Sequence, residues 1–269
     1  SFALAFASCE KKENHPLPPI PGGGEEKPTP GPTPEPTPGQ KGKSRYIWID
    51  AGGNFKDYAN NSAKIASDVK RIKETGFTDL VVDVRPTNGT VLFASRQGEP
   101  LQKIDAWVNG SYVWVKRTAN FDYLQAFIDA ARENGLRVNA SINTMVGGYL
   151  CPYGLGSDGP IFKDAKMKSW ASVINTSDGL VNTMDLNDSS TECRAKFFNP
   201  ANPDAQAYVL GLLADLAKYD LDGIILGRRR YDDYSLQSDF SQESRTQFEA
   251  YIGKSVKNWP TDVMKAGQK

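Results

Sequence analysis

Residues 221–233 read LDGIILGRRRYDD. The apolar run Ile224, Ile225, Leu226 has the composition of a buried strand. It stops at Gly227, and Arg228, Arg229, Arg230, Tyr231, Asp232 and Asp233 follow. Arginines in such a position can grip anionic or hydroxyl-rich groups, and aspartates can give or take protons. Gly227, on the last strand position, brings no chemistry. Three other stretches end in polar groups in the same way: RYIWID (45–50) on Asp50, FTDLVVDVRP (77–86) on Asp83 and Arg85, and LRVNASIN (136–143) on Asn139, Ser141 and Asn143.

These residues need elements that bring them together. NNSAKIASDVKRIKETG places Ile65, Val69 and Ile72 on one helical face, with Gly76 past its end. FDYLQAFIDAARENG sets Phe121, Leu124, Ile128 and Ala131 in phase, and NPDAQAYVLGLLADLAKYD has Pro203 placed for a first helical turn. Strand alternates with helix throughout, the pattern of a parallel α/β fold. Parity along the strands refines this. Val81, Asp83 and Arg85 share one side of their strand, Asn139, Ser141 and Asn143 one side of theirs, and Trp48 and Asp50 one side of the first. A doubly wound sheet is apolar on both faces. Here one face turns polar toward the strand ends, which predicts a TIM-type barrel with helices outside and a site at the C-terminal rim. A doubly wound four-stranded domain is the alternative, but no G-x-G-x-x-G or phosphate loop follows a strand. Residues 86–120 and 144–201 read as long βα loops. Their Trp107, Trp114, Tyr149, Tyr153 and Trp170 either stack on a ligand or form the loops' own small cores.

Composition narrows the function. Lys plus Arg equal Asp plus Glu, for zero net charge, which argues against nucleic acid as a partner. The single histidine, His15, lies outside the predicted domain, so no histidine-based triad or zinc site is expected, and no metal or cofactor is implied. Cys151 and Cys193 allow either a disulfide or two free thiols. SFALAFASC (1–9) looks like the end of a secretory signal with a lipobox-like Phe6–Cys9, implying lipidation at Cys9. Residues 10–44 are rich in Pro and Gly and predict a solvated tether. The folded domain is expected over 45–269, at a bacterial cell envelope and held to its membrane by the lipid.

RYIWIDA, GFTDLVVDVRP, GLRVNASIN, FFNPANPDAQAYVLGLLADLAKYDLDGIIL, RRRYDD and SDFSQESRTQFEAYIG resemble, in that order, the glycosyl-hydrolase-like family 10 proteins. These are (β/α)8-barrel proteins common among bacterial lipoproteins. The resemblance spans residues 45–260 and implies action on glycosidic bonds of a polysaccharide or oligosaccharide. Such cleavage uses two carboxyl groups, one protonated and one charged. Asp83, Asp232 and Asp50 are then the catalytic candidates, with Asp233 beside them. Arg85, Asn139, Asn143, Arg228, Arg230 and Tyr231 are the substrate-binding candidates. A buried Asp83–Arg85 ion pair is the competing reading. Where the family carries Asp at the end of its fourth strand, this chain has Gly227. That departure opens a second function, a carbohydrate-binding pseudoenzyme on the same scaffold. Only four strand–helix repeats are visible, whereas such a barrel takes about 250 residues or more. The expectation is the N-terminal half of a barrel, with an open apolar inner face.

Overall fold

The computed structural model describes residues 43–151, 155–186, 194–232 and 235–265. Cys9, His15, most of the tether, Tyr153, Cys193 and Asp233 lie outside the described residues, and with them the lipidation and disulfide readings. Strand β1 (Tyr46–Ile49) leads through helices α1 (Ala51–Tyr58) and α2 (Ser62–Glu74) to β2 (Asp79–Arg85). Strands β3 (Lys103–Val108) and β4 (Ser111–Lys116) form a hairpin before α3 (Tyr123–Glu133) and β5 (Arg137–Asn143). The next connection holds β6 (Val146–Cys151), β7 (Gly156–Asp158), α4 (Pro160–Lys163), α5 (Ala165–Ser169), β8 (Val173–Thr176), β9 (Gly179–Asn182) and β10 (Arg194–Phe197). Helix α6 (Pro203–Leu216), β11 (Gly223–Gly227) and α7 (Gln242–Ile252) complete the order.

The four strands read from the sequence form one parallel sheet in the order β1-β2-β5-β11. Register sorts their side chains. Ile49, Val82, Ala140 and Ile224 lie in one row, and Trp48, Val81, Asn139 and Gly223 in another on the opposite face. The first face carries the core: Leu80, Val82, Val84, Val138, Ala140 and Ile142 pack with buried residues of α2, α3 and α6. Full burial of a core phenylalanine such as Phe127 is worth roughly 1.5–3 kcal/mol. Consecutive parallel strands with helices on one face are the βα units of an α/β barrel architecture.

Helix starts follow local chemistry. Asn61, Asp122 and Asn202 each accept a backbone N–H three residues on, and Pro203 opens α6. Helix α1 has no counterpart in the sequence reading, because Gly52 and Gly53 hide its periodicity. The two long loops also carry more structure than read: a hairpin in the first, and a three-stranded sheet, a second hairpin and two short helices in the second.

Burial falls off at the edges of the parallel sheet. All of β2 is buried, whereas Trp48 on β1 is 52% exposed and Ile224 and Leu226 on β11 are 37% and 38% exposed. The helix expected after β11 exists as α7, none of whose residues is buried. Among the described residues no helix is long and apolar enough to cross a membrane.

Candidate active site

A cleft of about 340 Å³ lies at the C-terminal ends of the parallel strands. Asp50, Asp83, Ser141, Asn143 and Arg228 line it from the strand ends, with Trp48 on one wall. Asp50, just past β1, stands in the row beside Asp83 on the neighbouring strand, since Ile49 pairs with Val82. Parallel neighbours lie about 5 Å apart, so the two carboxyl groups leave the sheet side by side.

The start of α1 holds both. Asp50 caps the helix, its Oδ1 accepting the Gly53 N–H at 2.6 Å. A side-chain carbon at Gly53 would sit 3.2 Å from that oxygen, a tight contact. Asp83 Oδ1 accepts the Arg85 N–H at a long 3.4 Å, and this N–H and that of Ala51 favour its charged form. These are too few to offset its surroundings. Burial, and then the neighbouring charge of Asp50, push the Asp83 carboxyl up to about 7. The cleft thus combines a buried carboxyl group that keeps its proton near neutrality with a more exposed carboxyl group, Asp50, beside it.

Arg228 closes the opposite side. It adopts a left-handed backbone, φ 45°, rare for a residue with a side chain. Its carbonyl accepts the Met145 N–H and the Gly227 carbonyl accepts the Thr144 N–H, so the turn is pinned to the end of β5. Gly227 pairs with Asn143 in register. A carbon added at Gly227 would lie 3.6 Å from Asn143 Oδ1 and 3.3 Å from the Ile142 carbonyl. A side chain there would leave the sheet beside a residue that lines the cleft.

The other candidates lie elsewhere. Arg85 is the main correction. Parity placed it with Asp83, but the register shifts between Asp83 and Arg85, and the bulge turns Arg85 off that face. It is fully buried and donates to the carbonyls of Asn143 and Val146, with its guanidinium 5.9 Å from the Tyr208 ring. No ion pair joins it to Asp83, and burial lowers its proton affinity. Its role is to hold the β5–β6 turn, and Asn143 returns a bond to the Arg85 carbonyl at 3.1 Å. Asn139 faces the cleft side one layer below, donating to the Leu80 carbonyl. Arg230 stacks over Phe197 and donates to the Tyr231 carbonyl. Tyr231 and the buried Asp232 are likewise outside the cleft lining.

Two further cleft residues were not among the site candidates, although Tyr149 was noted as a loop aromatic. Asp105 on β3 and Tyr149 on β6 meet in the cleft, the tyrosine hydroxyl donating to the carboxylate. A signal for Asp105 was present: Asn109–Gly110, both at positive φ, between two alternating runs is a tight hairpin turn. The loop aromatics divide. Trp170 is 6% exposed and packs against Phe198 and Tyr208, so it is core. Trp107 is 58% exposed.

No known family profile matches the chain. In sequence it is 29% identical over 231 residues to an S-layer-related protein of Niallia circulans, a match that takes in 82% of this chain and 13% of that protein. Among solved structures it is similar to an alpha-L-fucosidase isoenzyme 2 from Paenibacillus thiaminolyticus, at 18% identity and a TM-score of 0.49, covering 80% of this chain and 27% of that one. A GH36 alpha-galactosidase from Geobacillus stearothermophilus aligns at 12% identity and a TM-score of 0.39, over 68% of this chain and 21% of its own. A hypothetical protein from Ruminiclostridium thermocellum aligns at 15% identity and a TM-score of 0.41, over 77% and 89% of the two chains.

Proposed function

We propose that this chain is the carbohydrate-handling part of a bacterial cell-surface protein, and that its cleft cleaves glycosidic bonds with Asp83 as proton donor and Asp50 as the charged partner. The observation that carries this is the pairing of Asp83 and Asp50 on adjacent strand ends in one open, polar cleft. Glycoside cleavage needs one carboxyl group to protonate the leaving oxygen and a second to act on the anomeric centre directly or through water. Asp83 meets the first need because burial keeps its proton. Asp50 meets the second because it is exposed and helix-capping. Asn143 and Arg228 supply hydrogen bonds for sugar hydroxyls, and Trp48 offers an exposed ring to the apolar C–H face of a sugar.

The resemblance to glycosyl-hydrolase-like family 10 supports the same chemistry, and the S-layer-related relative supports a cell-surface location. A lipid on Cys9, with the 10–44 tether carrying the domain away from the membrane, belongs to this reading on the strength of the sequence alone.

Gly227 favours a second reading, carbohydrate binding without cleavage. The family's strand-end acid is missing there, and removing one acid–base group forfeits on the order of 10²–10⁴ in rate. Incubating the full chain with xylan, laminarin, galactomannan and peptidoglycan, and measuring new reducing ends, separates the two. Release that disappears in Asp83→Asn supports the hydrolase. Binding with no release supports the second reading, and neither binding nor release refutes both.

A further inference from the structure

The β3–β4 hairpin has two unlike faces. Its pairing places Asp105 opposite Trp114, Trp107 opposite Tyr112 and Lys103 opposite Lys116. Directly opposed residues of an antiparallel pair share a face, and so do alternate residues along each strand. One face therefore carries Lys103, Asp105, Trp107, Tyr112, Trp114 and Lys116. The other carries Ile104 and Ala106, both buried, with Val115 packed against the core. The hairpin is fastened by its apolar side and turns aromatic and charged groups outward.

The position of Asp105 gives that face a direction. Its carboxylate lies in the cleft, bonded by Tyr149. From there Trp114 stands directly across the hairpin, and Trp107 two residues further along β3. Trp107 is 58% exposed, although it has a neighbour in Tyr112 at 5.1 Å between ring centroids. Lys103 lies 4.0 Å from the Trp114 ring centre. Trp114 and Trp107 do not line the cleft but share the hairpin face of Asp105, which does.

We infer that this face extends the binding site, so that the ligand is an extended carbohydrate chain with one sugar in the cleft and further sugars over Trp114 and Trp107. The inference rests on the carbohydrate reading of the cleft and adds the substrate class, a chain of several residues rather than a mono- or disaccharide. A protein partner would be held best by a dry apolar centre, whereas here charged and hydroxyl groups separate the rings.

The test uses the full chain. Affinity electrophoresis through gels containing xylan, laminarin or galactomannan identifies a polymer that retards it. Calorimetry then compares the disaccharide and hexasaccharide of that polymer on the wild type, Trp107→Ala and Trp48→Ala, with thermal melts confirming that each variant folds. The expected result is that Trp107→Ala weakens hexasaccharide binding about tenfold and leaves the disaccharide unchanged, while Trp48→Ala weakens both. Unchanged hexasaccharide affinity in Trp107→Ala overturns the extension and leaves the cleft reading standing. An equal loss for both sugars in Trp107→Ala also overturns it. A wild type retarded by no polymer overturns both together.

Discussion

Strands β2 and β11 flank β5 on either side of one parallel sheet, and their ends differ in chemistry. The whole of β2 is buried, and it delivers Asp83 into a cleft where burial holds its carboxyl near 7. Strand β11 alternates between half-buried and exposed positions and delivers Gly227. A proton donor with a raised pKa needs low-dielectric surroundings, and only the β2 side of the sheet provides them. On the proposed function, the contrast assigns acid–base chemistry to the β1–β2 side of the cleft and ligand contacts to Arg228 and Asn143 on the β11 side.

The largest effect that sharpens this contrast is on turnover. Asp83→Asn should lower glycoside cleavage by about 10²–10⁴ and leave oligosaccharide affinity within a few-fold, as steady-state kinetics and calorimetry would show. A proportional loss of affinity would make Asp83 a contact and not an acid.

Stability should carry the same signature. Asp83 keeps its proton to about 7 in the fold, whereas an unfolded aspartate releases it near about 3.9. Between those values the folded state holds the extra proton. The stabilisation is therefore complete below about pH 4 and is lost as pH rises through 7, by roughly 4 kcal/mol in all. Denaturant midpoints measured from pH 4 to pH 8 should fall on this account, and Asp83→Asn should flatten the slope.

Two tryptophans test the division between core and ligand surface. Trp170→Ala should cost about 3–5 kcal/mol, because its ring packs between Phe198 and Tyr208. Trp107→Ala should change stability by less than about 0.5 kcal/mol, as an exposed site does. Equal costs would erase the distinction.

On turnover, Gly227→Asp should have a small effect. If Asp83 and Asp50 suffice, a carboxyl group added beside Asn143 changes turnover by less than about tenfold, that is, by less than about 1.4 kcal/mol in barrier height. A gain of a hundredfold would transfer the missing function to β11 and favour the binding-only reading of the natural chain.

Much of this arrangement was legible in the residues. Period-two apolar runs bounded by helical patterns gave the four strands, their order and the outer face, because burial of Leu80, Val138 and their neighbours enforces parity. Asp50, Asp83 and Asn143 were legible by the same rule, and Arg228 only by its place just after the strand, since its left-handed backbone and not parity turns it to the cleft. Arg85 was not, since a bulge at the end of β2 breaks the alternation that parity assumes. Asp232, Arg230 and Tyr231 follow the strand in sequence but are steered by a turn whose path depends on contacts of Gly227 and Arg228 with the β5–β6 segment. Asp105 and Tyr149 come from separate insertions and meet only through tertiary packing. Helix α1 was missed because Gly52 and Gly53 in its first turn weaken the helical signal.

The most direct test of the central claim is the carboxyl carbon chemical shift of Asp83, followed by NMR from pH 3 to pH 9 in the full chain. The account expects a single titration with a midpoint near 7, displaced downward when Asp50 is replaced by Asn. A midpoint near 4 would mean that Asp83 is charged throughout the physiological range, and the cleft would have no proton donor on the β2 side.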